Sequence, residues 1–117
     1  MAYVRSENSG GGNISSGTYT ASSSNSQTIV CGFKPKKIFY YADMGTNLYL
    51  ICTYDEDISN TTMLASYKTS SSSYGVGVYT IGASNSNILN SVNNDGFTVR
   101  PVLSAYNGKT INYTAIG

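Results

Sequence analysis

The sequence predicts an all-β fold, an antiparallel β-sandwich of jelly-roll-like character with about seven or eight strands and very little helix. Three observations lead there. Short runs rich in Val, Ile, Tyr and Thr alternate with clusters of Ser, Asn, Gly and Asp, the usual punctuation of strands and turns. Within the runs apolar residues recur at every second position, so that Ile29, Cys31 and Phe33 share one face, and Leu48, Leu50, Cys52 and Tyr54 share another. No segment carries an apolar stripe of helical period long enough to pack a helix. With 117 residues there is room for one core and not for two.

Along the chain, residues 1–15 read as an arm, because Gly10, Gly11 and Gly12 lose too much backbone entropy to order without contacts from a neighbour. The sandwich domain is expected over residues 16–117. Its strands are expected from Gly17 to Ala21, Gln27 to Phe33, Lys37 to Asp43, Leu48 to Tyr54, Met63 to Lys68, Gly75 to Ile81, Gly96 to Leu103 and Thr110 to Ile116. Met44 to Asn47, short and glycine-containing, suits a hairpin between the third and fourth. DEDISNTT, Asp55 to Thr62, reads as a turn or as one helical turn capped by an Asp. Gly75 and Gly77 fall on one face of their strand, where another backbone or a ring could approach closely. Asn85 to Asn94, with its polar NSVNND, reads as a turn leading into the next strand.

Composition excludes several function classes. Seven basic residues against six acidic leave a formal net charge of +1, so nothing draws the chain electrostatically to nucleic acid or to an anionic membrane surface. No window approaches the roughly 20 apolar residues of a membrane helix, and the first residues lack a signal-peptide core, which points to synthesis in the cytoplasm without membrane insertion. There is no histidine, so a serine or cysteine nucleophile would lack its usual base and a zinc site its usual ligand. The acidic run Asp55, Glu56, Asp57 lacks the spacing of a calcium loop. No catalytic, metal or cofactor-binding residue is therefore expected, and the chain is not read as an enzyme. Cys31 and Cys52 sit inside apolar runs and read as buried free thiols, the alternative being a disulfide.

Eleven tyrosines and no tryptophan mark the composition. Tyrosine couples a flat apolar face to a hydroxyl, which suits a strand core, a protein interface or a sugar equally. Tyr40 and Tyr41 are adjacent and must point to opposite faces of a strand, while Tyr74 and Tyr106 lie near expected loops. These four are the candidates for an interface or ligand surface.

Two stretches echo one another: CGFKPKKIFYY, residues 31–41, and DGFTVRP, residues 95–101. In the first, Pro35 fixes its own φ and biases Lys34 to an extended conformation, so Gly32, Phe33 and Pro35 read as a device that redirects the chain. Asp95, Gly96 and Phe97 repeat the device, with Phe33 and Phe97 plugging the core at strand ends. Lys34, Lys36 and Lys37 would then be the solvated rim of the turn, the alternative being a basic binding patch.

Together with the closing INYTAIG, these stretches resemble small β-domains of tailed-bacteriophage virion proteins, found in tail fibres and related appendages. Gly32, Phe33, Pro35 and Ile38 match the first motif of that family, Asp95, Gly96, Phe97 and Val99 the second, and Tyr113, Ala115 and Ile116 the third. The resemblance covers about Gly17 to Gly117. It implies a virion structural protein, an accessory or tip module that decorates a head, caps a tail or tips a fibre, and that could display a host-binding face. Its implied partners are copies of itself, as a homotrimer, and other virion proteins. The alternative is a carbohydrate-binding β-sandwich for adsorption to the bacterial surface, with host surface glycan as ligand, Tyr rings stacking on sugars and Asn or Asp bonding their hydroxyls.

Overall fold

The computed structural model describes residues 13–45 and 47–117, and all statements below concern these. Nine strands form: β1 (Ile14–Thr20), β2 (Gln27–Val30), β3 (Lys37–Asp43), β4 (Tyr49–Asp55), β5 (Thr62–Ser70), β6 (Ser73–Thr80), β7 (Leu89–Asn93), β8 (Gly96–Val99) and β9 (Thr110–Ile116). A 3-10 turn, Ser104–Tyr106, precedes β9. The strands pair antiparallel throughout, in a six-stranded sheet of order β1-β9-β3-β4-β5-β6 and a three-stranded sheet of order β2-β8-β7. The all-β sandwich expected from the sequence is what forms.

The inner face of the large sheet presents Ile38, Tyr40 and Ala42 from β3, Leu50, Cys52 and Tyr54 from β4, Met63 and Ala65 from β5, and Ile111 and Ala115 from β9. Against it the small sheet sets Ile29, Leu89, Phe97 and Val99. Phe97 stands between the sheets, stacked on Tyr40 with ring centroids 6.3 Å apart and edge-on to Tyr113 at 5.8 Å. Such ring pairs add about 0.5–1.5 kcal/mol to the burial of their area.

The expected arm lies outside the described residues as far as residue 12; Ile14 and Ser15, also assigned to it, belong to β1 instead. There they pair with Ile116 and Ala115 of β9. The β3 to β4 hairpin forms as expected, its turn drawn in by Met44 N–H donating to the Leu48 carbonyl (3.0 Å) with Gly45 at φ +118°. In DEDISNTT the Asp55 carboxylate accepts from Asp57 N–H (3.0 Å), and the Asp55 carbonyl accepts from Ile58 and Ser59, which makes the single Asp-capped turn. β2 stops at Val30, earlier than expected, because Gly32 turns the chain at φ +87°. β8 ends at Val99, before Pro101 removes a ladder donor. Of Asn85 to Asn94, expected as turn, Ser86–Asn87 is turn and Asn94 turns with Asp95 into β8, but Leu89–Asn93 is a strand.

Tyr106, a candidate for surface exposure, is fully buried. Its hydroxyl donates to the Tyr49 carbonyl (2.6 Å) and accepts from Lys68 N–H (3.2 Å), tying β4 to β5 where the β5–β6 register shifts. Tyr106→Phe strands both backbone groups, and a loss of about 1–3 kcal/mol is expected. It should register as a lower urea midpoint at unchanged m value.

Candidate functional site

The two echoing stretches meet in space. The Asp95 carbonyl accepts from Cys31 N–H (2.7 Å) and Gly32 N–H (3.0 Å), so the first turn is fastened to the second. Phe33 is half-buried against Gly117, Pro35 is fully buried, and Lys36 N–H donates to the Ile116 carbonyl (2.7 Å). Gly96 and Phe97 follow inside the small sheet. Gly32, Phe33, Pro35, Asp95, Gly96 and Phe97 thus serve one structural joint at the end of the sandwich. Lys34 and Lys36 point to solvent, while Lys37 lies 3.7 Å from the Asp55 carboxylate and 3.9 Å from that of Asp57.

The surface tyrosines divide. Tyr40 shares its parity with Ile38 and Ala42 and is buried, its hydroxyl donating to the Asn87 carbonyl (2.7 Å); burial pushes its ionisation well above the ordinary range. Tyr40 and Tyr106 are therefore core residues, a correction to their reading as surface. Tyr41 (49% exposed) and Tyr74 (68%) are on the outside.

Both belong to a larger feature. The outer face of the large sheet carries two ladders across adjacent strands, Phe39–Thr53–Leu64–Val78 and Tyr41–Ile51–Ser66–Val76. Phe39, Tyr41, Ile51, Leu64, Val76 and Val78 are all exposed, and Ile58 lies beside Leu64 and Val78 around a shallow hollow. Among the described residues, every exposed large apolar side chain other than Ile14 and Val30 belongs to this face or borders it. Charge sits at its ends: Lys37, Asp55 and Asp57 at one, Asp43 and Lys68 at the other, with the Lys68 ammonium 5.8 Å from the centre of the Tyr74 ring. Towards β9 and β1 the same ladders continue as Thr114–Ser16 and Asn112–Thr18, so the apolar patch is confined to β3–β6.

β6 is also an edge strand, with neither charge nor proline in SYGVGVYT. Native edges are usually blunted by Lys, Pro or a bulge within the strand. Among the described residues no strand pairs with the outer side of β6, which lies beside an apolar face. The signal was present in the sequence, because β3, β4 and β6 carry apolar residues at both parities, as in KIFYY, YLICTY and YGVGVY. A strand with one solvated face alternates apolar with polar instead.

Cys31 and Cys52 are free, half-buried and buried respectively. Among the described residues no three His, Cys, Asp or Glu side chains converge to hold a metal ion. Among the described residues no helix is long and apolar enough to cross a membrane. Compared with family models, curated proteins and solved structures, the chain matches none.

Proposed function

We propose that this protein is an assembly module of a tailed-bacteriophage virion, a small structural subunit that joins to further copies of itself through the outer face of β3–β6. The virion setting rests on the resemblance of the Gly-Phe stretches and the closing strand. Self-assembly rests chiefly on one observation: a continuous apolar face beside an open β6 edge, covered by no strand of the described residues. An exposed contiguous patch of this kind, charged at its ends, has the layout of a protein interface, with an apolar centre and a polar rim. A second copy is the occupant that fits, since the same face supplies both the ladder of rings and branched side chains and the free edge that could extend the sheet. The resemblance makes a trimer the expected closed state. Low charge favours the contact, because little charge is stripped of water when two such faces meet.

Sedimentation equilibrium of the full chain tests this reading. The protein is expected to be oligomeric, and Leu64→Glu combined with Val78→Glu to be a folded monomer. A carboxylate left unpaired in a closed interface costs about 3 kcal/mol, roughly two orders of magnitude in the dissociation constant. A wild-type chain that stays monomeric at the highest soluble concentration would overturn the proposal. So would an oligomer indifferent to both glutamates.

A further inference from the structure

On the opposite face of β5 and β6, turned towards the small sheet, a cleft of about 190 Å³ lies between Tyr67, Tyr79, Asn85, Ser86 and Asn87. No acidic or basic side chain lines it. Gly75 makes room for one of its rings: a Cβ there would lie 2.8 Å from the Tyr67 hydroxyl, whereas one at Gly77 would meet the Tyr79 ring at an ordinary 3.7 Å. The close approach expected of both glycines thus occurs at Gly75 alone, and it is by a ring.

Asn87 is the unusual member. It is 97% buried, as its exposure of 3% states, and adopts φ +72°, a left-handed conformation that Asn tolerates better than most residues. Nearly all its polar atoms are spoken for. Its N–H donates to the Pro101 carbonyl (3.1 Å), and its carbonyl accepts from the Tyr40 hydroxyl (2.7 Å) and the Cys52 thiol (3.6 Å). Its Oδ1 accepts from Leu103 N–H (3.0 Å). A backbone N–H can only donate, so this last bond fixes the orientation of the side-chain amide. Nδ2, with two hydrogens, is left at the cleft and donates to no described residue. Among the described residues the buried side-chain atoms that lack a partner are the Tyr19 hydroxyl oxygen and Arg100 Nε, so Nδ2 is reached by solvent at the cleft, where an acceptor from outside the chain can take the place of water.

From this geometry we infer that the cleft is a binding site for a single neutral sugar ring. Asn87 Nδ2 donates to a ring hydroxyl, Asn85 and Ser86 exchange hydrogen bonds with others from the rim, and a tyrosine ring covers an apolar face of the sugar. Size agrees, because an engineered cavity of about 150 Å³ holds benzene and this cleft is somewhat larger and open on one side. A neutral lining suits hydroxyls and disfavours a charged ligand. The site goes beyond the assembly proposal and does not depend on it: its residues face inwards from the large sheet, whereas the assembly face looks outwards.

The test is an amide-resolved NMR titration of the 15N-labelled full chain with the methyl glycosides of glucose, galactose and N-acetylglucosamine, each presenting one ring as the end of a glycan does. At least one is expected to saturate with Kd on the order of 1 mM, the range that ligand efficiency allows a ligand of this size. Shifts should centre on Tyr67, Tyr79 and Asn85 to Asn87. Ser86→Trp, at an exposed rim position, should abolish them while leaving the remaining spectrum in place. Asn85→Ala, which removes only a rim contact, should weaken binding about fivefold, in line with a lost hydrogen bond. The inference is overturned if none of the three glycosides saturates, which would make this a water-filled cleft only. It is equally overturned if the shifts map to the outer face, or if they survive Ser86→Trp.

Discussion

Gly96→Ala is expected to be the most damaging single methyl group that can be added to this protein. Gly96 pairs with Val30 at the end of the β2–β8 ladder, and a Cβ there would fall within contact distance of the Ile29 carbonyl oxygen, with the Ile29 carbonyl carbon at 3.0 Å and the Val30 Cα at 3.1 Å. These are backbone atoms, so no side-chain rotation relieves the clash. β2 must move away from β8, which breaks its ladder and the 2.9 Å hydroxyl contact between Thr28 and Thr98. It also strains the bonds from Cys31 and Gly32 to Asp95. Phe97, next in sequence, would lose its fixed place between Tyr40 and Tyr113. Overpacking a core typically costs about 1–3 kcal/mol; a clash of backbone with backbone should exceed that and reach about 4 kcal/mol or more, a large share of a small domain's stability. Urea denaturation gives the loss directly, and near-UV dichroism of the buried tyrosines reports whether the small sheet still packs. Gly77→Ala is the control. Its Cβ would meet only ordinary contacts, the nearest 3.7 Å away on the Tyr79 ring, so a change within about 0.5 kcal/mol is expected. Equal effects at the two positions would show that the sequence tolerates a side chain where the joint requires none.

How far this arrangement could be read from the sequence depends on whether each feature is local. β3 and β9 fall at their expected bounds because a turn closes each of them from nearby residues: Pro35 before β3, Gly45 after it, and Gly108 (φ +76°) before β9. β7 was missed because LNSVN owes its extended form to pairing with β8 and not to its own polar composition. The place of β9 between β1 and β3 joins residues about 70 to 100 positions apart, and no local pattern announces such a partner. Alternation established that Tyr40 and Tyr41 face opposite ways; assigning Tyr40 to the core required its parity with Ile38 and Ala42 to be weighed as well. Tyr106 looked exposed because it adjoins a loop, yet the 3-10 turn folds back and carries its hydroxyl to β4 and β5. The outer face was legible as an excess of apolar residues at both parities. The cleft was legible only at Gly75, since Asn87 is positioned by Tyr40 from one part of the chain and by Pro101 and Leu103 from another.

Alkaline pH should unfold this protein in a narrow range, and the sign of the effect follows from its buried acids. The Cys52 thiol is pushed up to about 12 from an ordinary value of 9.0, mainly by burial. Burial likewise pushes the Tyr106 hydroxyl up to about 12, from 10.0, and holds Tyr40 and Tyr19 well above their ordinary value. Each group is neutral while protonated. The unfolded chain releases these protons near pH 9–10, whereas the folded chain retains them, so in this window the folded state binds more protons and stability falls as pH rises. Below about pH 9 the contribution is fully present. Cys52 alone accounts for a loss of about 4 kcal/mol by the time the pH reaches its folded value, and the buried tyrosines add to it. With no histidine in the chain, no side chain has its ordinary ionisation between about pH 5 and 8, so a flat stability profile is expected there. Urea midpoints measured across pH should show this plateau and then a steep decline. Tyrosinate absorbance from the buried rings should rise together with unfolding and not ahead of it. Cys52→Ala removes the earliest-titrating member of the set, so its profile should start lower, because a buried side chain has been cut back, and should decline less steeply just above pH 9. A midpoint that stays level through pH 11, or a Cys52→Ala profile parallel to that of the wild type, would mean that these groups are not held dry between the sheets.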